Sequence, residues 1–285
     1  EAVAVKNALL LLDSKTVAAP AAAALPTASS SGKAALLDVL GEKAASNEVA
    51  TVLPYLNSAE MDVKASASGA LNKMVGPANL ATLFPLLSSA TNATDLKNAQ
   101  GIVTSAVNGI ADPAQRSTVL QNQFSATPAT QKAAFYPVLS GVGGKAELQT
   151  MVKGFGSADD AGKKAAIDAF AGWKNGEAAS ELARLVAENK TSATAPLLID
   201  AFTKQIAAVK KTPEQKYLLI RDVMELTTDK NQKSKLLDEL SDAPTFGAMK
   251  YAGKYLQDPQ LKYTAASTVK DIAIKNPGIY GAEAT

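Results

Sequence analysis

A lysine followed by a hydrophobic residue returns along this chain at a nearly constant interval, and an interval of that length leaves few folds open. The lysines are Lys33, Lys64, Lys97, Lys132, Lys164, Lys233 and Lys262, with Ala195 where the series skips one. Successive spacings are 31, 33, 35, 32, 31, 38 and 29 residues, a mean near 33. Six or seven positions beyond each landmark stands Leu40, Leu71, Val103, Leu139, Phe170, Phe202, Leu240 or Val269. That separation is two helical turns, so landmark and hydrophobe share one face of a helix. A period of this size marks a repeat architecture, in which one helical unit cannot bury its face alone and stacks on the next.

Each unit reads as two helices. The first ends in an apolar cluster, as in "EVATVLPYL" (48–56), "NLATLFPLL" (79–87), "AELQTMVKGF" (146–155) and "GAMKYAGKYL" (247–256). A polar turn follows, such as "NSAEMD", "SSATNATD", "TTDKNQ" or "QDPQ", rich in the residues that cap helices and make turns. The second helix is built of small residues, as in "DVKASASGALNKMV" and "DAGKKAAIDAFAGW". The same register decides the stretch "AAAALPTASSSGKAALL" (21–37), which resembles a linker. Leu25 falls on Leu56 and Lys33 on Lys64, an offset of 31, so residues 16–25 are expected to be a first helix and "PTASSS" its turn. The linker reading stays open because Pro20 and Pro26 crowd that helix.

Composition removes several chemistries. The chain of 285 residues has no cysteine and no histidine. Disulfides, thiolate ligands, a Ser-His-Asp triad and the usual zinc sites are therefore excluded. Net charge is +2, and arginine appears only at Arg116, Arg184 and Arg221. Phosphate-driven binding needs a clear basic excess and favours arginine, so no nucleic-acid partner is expected. No apolar run reaches the roughly 18 residues of a membrane span. Hydrophobic residues at 47% supply a core, and aromatics at only 5% suit closely approaching helices.

The remaining candidates have bland readings beside sharp ones. Asp159–Asp160, Asp238–Glu239 and Asp222–Glu225 could do acid–base work, but "SADDAGKK" reads as a helix N-terminus. Glu239 and Asp242 read as solvated charges on a lysine-studded helix, and "DAPTFGAMK" (242–250) as a cap and a turn. "SGVGGK" (140–145) lacks the strand and spacing of a phosphate loop, so Gly141, Gly143 and Gly144 are expected to stop one helix and start the next. Trp173, in "GWKNGE", is expected in the core rather than as a partner anchor. Lys64, Lys97, Lys132 and Lys164 are expected to pair with turn aspartates such as Asp62, Asp95 and Asp160. Tyr251, Tyr255 and Tyr263 cluster near the last units. Sequons occur at Asn92 and Asn189, which matter only in a eukaryotic secretory pathway.

"VLPYLNSAEMDVKASASGAL" and "LFPLLSSATNATDLKNAQGIV" resemble HEAT repeats. The matching residues are Pro54, Asp62, Val63, Lys64, Ala67 and Leu71, then Pro85, Asp95, Leu96, Lys97, Ala99 and Val103. The resemblance covers nearly the whole chain and weakens between 190 and 245. It implies an all-α, right-handed α-solenoid of about eight helix pairs over residues 1–285, with first helices convex, second helices concave and a lone second helix at 1–13. The basic landmark is commonly a structural residue in such arrays. Neither end carries a polar capping helix, and "NPGIYGAEAT" falls where another first helix would begin, so the array is expected to be a piece of a longer chain. The cysteine-free Ala/Ser/Thr texture also resembles arrays in secreted proteins of gut-type Gram-negative anaerobes. There the array precedes a β-sandwich assigned to glycoside or 3-keto-disaccharide hydrolases. Such chemistry would lie beyond residue 285, with the chain itself periplasmic or extracellular; a cytoplasmic location is the alternative.

These readings converge on a non-catalytic interaction or scaffold module, whose concave helices hold a protein or an adjacent domain of the same polypeptide. No catalytic, cofactor or metal residues are expected, and the binding residues are not specified. HEAT-like bile-pigment lyases, which act by shape, and HEAT-like DNA glycosylases are the weaker alternatives. The small residues Ala65, Ser66, Ser68 and Gly69 suit either docking or plain helix packing.

Overall fold

The computed structural model describes residues 2–277, and among them there are helices and turns but no strand. The last residues, where a further first helix is expected to begin, lie outside the described range. The chain divides into two compact units at Val142 and Gly143.

The first unit contains α1 (Ala2–Leu10), α2 (Ser14–Ala24), α3 (Ser30–Glu42), α4 (Val49–Val52), α5 (Met61–Met74), α6 (Leu80–Ser89), α7 (Ala93–Asn108), α8 (Pro113–Ala126) and α9 (Tyr136–Val142). The second contains α10 (Lys145–Ser157), α11 (Asp160–Ala171), α12 (Ala179–Glu188), α13 (Ala195–Ala208), α14 (Pro213–Met224), α15 (Lys230–Leu240), α16 (Phe246–Gly253) and α17 (Lys262–Lys275). Odd-numbered helices lie against one another in series, α1 to α9 in the first unit and α11 to α17 in the second. Within the second unit α12, α14 and α16 form a parallel series. Pairs such as α6/α7, α12/α13 and α16/α17 lie against each other.

Local chemistry explains where these helices begin. The side chains of Asp13, Ser29, Asn92, Asp112, Asp159, Thr212, Asp229 and Thr245 each accept a backbone N–H of the first turn they cap. Such caps satisfy donors that no carbonyl inside the helix can reach. The 21–37 stretch is therefore helical. Residues 14–24 form α2 with Pro20 inside it, a short 3₁₀ turn covers Leu25–Thr27, and Ser29 caps α3. Pro54 has the opposite effect. Lacking an N–H, it falls in a 3₁₀ turn, Leu53–Asn57, that cuts the preceding helix to four residues.

The landmark lysines fall near the starts of odd-numbered helices, with one departure. Lys132 stands in the 3₁₀ segment Ala129–Phe135, and α9 begins only at Tyr136. The hydrophobes that follow the landmarks form the interior. Leu40, Leu71, Val103, Leu139, Phe170, Phe202 and Leu240 are each 0% exposed. Closing one such side chain contributes about 1.5–3 kcal/mol. Val269, on α17, is the exception and remains partly open.

Candidate interaction surface

The odd-numbered helices are tied together by side chains that reach about one period along the chain. Lys64 on α5 pairs with Asp95 on α7 at 2.9 Å, and Lys6 on α1 with Asp38 on α3 at 2.8 Å. The Lys64 ammonium is the main reason the Asp95 carboxyl is held below its ordinary range. Lys230 likewise pairs with Asp258, whose carboxyl it holds down.

Other ties run backward. Lys43 Nζ donates to the carbonyls of Leu10 and Leu12 at 2.7 Å each, satisfying the open end of α1. Lys73 reaches Glu42 at 2.6 Å, and Lys275 reaches the Ser241 carbonyl at 3.0 Å and Asp242 at 2.7 Å. Neutral groups make ties in both directions. Ser105 Oγ donates to Asn72 Oδ1 at 3.3 Å, and Gln100 Nε2 to the Ala134 carbonyl at 3.0 Å. Thr268 Oγ1 donates to the Leu237 carbonyl at 3.0 Å.

This corrects the expected ladder of landmark lysines. Among the described residues Lys64 is the one landmark that makes an ion pair with an aspartate. Lys132 lies 4.9 Å from the Phe124 ring centroid and Lys233 5.5 Å from that of Tyr255, while Lys97 and Lys164 are exposed. Asp62 is exposed, and Asp160 opens α11 rather than pairing with Lys164. The lysines that recur as ties at helix ends are Lys43, Lys73 and Lys275. The sequence reading missed this second set, although a basic residue in or just after a last helical turn is a signal that could have found it.

Three of the acidic candidates have partners within the fold. Asp159 caps α11 through the Gly162 N–H at 2.8 Å. Asp222 is held by Arg221, and Glu225 accepts from the Tyr251 hydroxyl at 2.7 Å. Burial, the Tyr255 hydroxyl and the Glu225 carboxylate all push the Tyr251 hydroxyl far above its usual range. Glu239 departs from its expected solvated state. Its side chain is 22% exposed and stands 3.8 Å from the buried Lys216 ammonium, and desolvation raises its carboxyl above the ordinary value. Asp242 is more open and is held down by Lys275.

The tryptophan reading holds, and the glycine reading holds at Gly143 and Gly144 but not at Gly141, which lies inside α9 where an added β-carbon would meet the Thr104 side chain at 2.9 Å. Gly143 (φ 75°) and Gly144 (φ 107°) separate α9 from α10 in backbone that favours glycine. Trp173 is buried at 3% exposure. Gln205 on α13 donates to the carbonyls of Trp173 at 3.0 Å and Ala171 at 3.2 Å. The tyrosines divide: Tyr217, Tyr251 and Tyr255 form edge-to-face pairs with centroids 6.2 and 5.7 Å apart, while Tyr263 is 78% exposed.

The free hollows differ widely in size, from about 60 to about 600 Å³. A hollow lined by Leu56, Leu86, Ser89 and Asn98 holds about 60 Å³, room for a few waters and far below a small-molecule site. On α5, Ala65 and Gly69 face outward, and nothing lies within 4 Å of where a Gly69 side chain would start. Ser68, by contrast, is buried against neighbouring helices. No helix among the described residues is long and apolar enough to cross a membrane.

Comparison with known proteins adds little to this geometry. No protein-family model matches the chain, and no curated protein matches it in sequence. Among solved structures, a chain from "Computational Design of Self-Assembling Cyclic Protein Homooligomers" is similar at 15% identity, over 97% of this chain and 95% of that one, with a TM-score of 0.16. A superposition that loose transfers nothing from that protein.

Proposed function

We propose that this chain is a HEAT-like, right-handed α-solenoid of about eight helix pairs that works as a non-catalytic interaction module. The observation that carries this reading is the recurring register of the ties between odd-numbered helices: 31 residues for Lys64–Asp95, 32 for Lys6–Asp38 and 33 for Lys275–Asp242. Units that bond mainly to their neighbours build extended binding faces. In this reading the odd-numbered helices form the concave face, and a protein or an adjacent domain rests across outward positions such as Ala65 and Gly69. By the resemblance of its Ala/Ser/Thr texture, we read the chain as part of a larger secreted bacterial protein, with direct support of a downstream carbohydrate-active hydrolase domain as the alternative reading.

The face is tested with the double variant Ala65→Arg, Gly69→Arg. Both positions are open, so the thermal midpoint is expected to stay unchanged while capture of a partner from envelope extract is lost. Equal capture by variant and wild type removes the face from consideration. The parent protein is tested by blotting fractionated source cells. A band well above 29.4 kDa in the envelope or periplasm is expected. A cytoplasmic band at the chain's own mass overturns that part of the reading.

A further inference from the structure

We propose that the corner where α11 ends against α13 binds one water molecule, which bridges the Trp173 indole N–H and the Gln205 side-chain carbonyl. Among the described residues, Trp173 Nε1 and Gln205 Oε1 are the buried side-chain polar atoms that have no hydrogen-bond partner in the protein. Both residues are 3% exposed. A polar group stranded at that depth is costly, and native proteins satisfy nearly all of them with a protein group or an ordered water.

The Gln205 amide cannot turn over to relieve its oxygen. Its Nε2 donates to the Trp173 carbonyl at 3.0 Å and to the Ala171 carbonyl at 3.2 Å. A flipped amide would set oxygen against two carbonyl oxygens, so these partners fix its orientation. Oε1 is bonded to the same carbon as Nε2 and is therefore held in the corner that Trp173 occupies. One orphan is a donor and the other an acceptor. A cation would suit the oxygen and be repelled by the N–H, and an anion would do the reverse. Water is the smallest molecule that accepts from an N–H and donates to a carbonyl, and the two atoms give it the two polar partners it needs.

The turn that follows Trp173 closes this corner. Asn175 (φ 58°) and Gly176 (φ 69°) are both left-handed. Gly176 lies flat on the end of α13, where a β-carbon would stand 2.4 Å from the Val209 nitrogen and 2.6 Å from the Gln205 backbone carbonyl oxygen. Beside it a hollow of about 420 Å³ is lined by Asn175, Glu177, Val209, Lys210 and Lys211. Solvent thus comes up to the flank of the turn while the polar pair beneath stays sealed. The bound water exchanges when the turn lifts.

Trp173 is the single tryptophan of the chain, so isotope-labelled full-length protein gives one indole N–H signal in NMR spectra. That proton is expected to show a cross-peak to water whose laboratory-frame and rotating-frame effects have opposite signs, the signature of a water that stays longer than roughly a nanosecond. Effects of equal sign would mean that the proton exchanges with bulk solvent, and they overturn the proposal. So does the lack of a water cross-peak, or a scalar coupling from the indole nitrogen to the Gln205 amide carbon, which would show a direct hydrogen bond. The wild-type spectra decide this alone. In Gln205→Leu, with its fold checked by circular dichroism, the water cross-peak is expected to be lost, and an unchanged cross-peak overturns the bridge. None of these outcomes depends on partner capture by the outward face of α5.

Discussion

Between α3 and α5 the backbones nearly touch. A β-carbon placed on Gly41 would lie 2.6 Å from the Ala70 Cα, and the helices close around Leu40 and Leu71. Between α11 and α13 the gap is filled instead by large side chains. Phe170 and Phe202 are fully buried, Trp173 nearly so, and Gln205 spends its amide on two carbonyls at the end of α11. One period thus supports two ways of joining neighbours. The first depends on the absence of atoms, the second on volume and on the two carbonyls that the Gln205 amide N–H groups reach, although Trp173 Nε1 and Gln205 Oε1 are buried there without a partner in the protein. They should fail under opposite substitutions.

The largest effect is expected where volume is removed. Phe170→Ala should destabilise the protein by about 3–5 kcal/mol, read from the denaturant midpoint, since a fully buried aromatic leaves a cavity. A loss under 1 kcal/mol would mean that neighbours collapse into the space and that the α11–α13 contact does not depend on bulk.

Adding a methyl group comes next and tests both contacts. Gly41→Ala should cost about 1–3 kcal/mol because the new atom meets backbone, which cannot rotate away. Gly176→Ala should cost at least as much. Its φ is 69°, where an L-residue is strained by about 1–2 kcal/mol, and the added carbon would lie 2.4 Å from the Val209 nitrogen. Gly69→Ala is the control, with open space around it, and should be neutral or slightly stabilising. If all three glycines tolerate alanine equally, close backbone approach is not what joins α3 to α5.

A smaller loss is expected from Gln205→Leu. The replacement keeps apolar volume but strands the Ala171 and Trp173 carbonyls, at about 1–3 kcal/mol for unsatisfied buried groups. Amide exchange at the end of α11 should quicken; unchanged exchange there would show that this bond does not order the turn.

The smallest effect belongs to the Lys64–Asp95 tie. The Asp95 pKa is lowered in the fold, so its contribution is present above the unfolded value near 3.9 and fades as pH falls through the lower folded value. Asp95→Asn should therefore be slightly less stable than wild type at neutral pH and equal to it in strong acid, with the difference shrinking in salt. A difference that persists in strong acid would assign the effect to something other than this charge.

Much of this organisation was legible along the chain. The seven buried hydrophobes from Leu40 to Leu240 were readable because burial on one helix face imposes a period that sequence displays directly. Residues 16–25 were readable as helix by the same register, despite Pro20. Trp173 was readable as core, and Gly143 and Gly144 as a break. Lys132 was not readable as part of a 3₁₀ segment, because nothing in its own pattern separates the two helix types. The landmark lysines misled as pairing residues. A repeating charge records a repeating position on a helix, and only the neighbouring helix decides whether an aspartate arrives within reach. Glu239 was misread for the same reason, since Lys216 and the surface that desolvates it belong to another helix.

The period, the helix caps and the absence of histidine and cysteine are properties of the chain itself, and they determined an all-helical protein built from stacked pairs. Helix starts and buried stripes are local or periodic, so residue order specifies them. What the tertiary structure decided was everything that depends on distance between helices: which lysines reach carbonyls, that Gly41 and Gly176 admit no side chain, and that Val269 lies open where its counterparts are closed. Those outcomes follow from how closely two separate surfaces approach, and a one-dimensional pattern carries no measure of that separation.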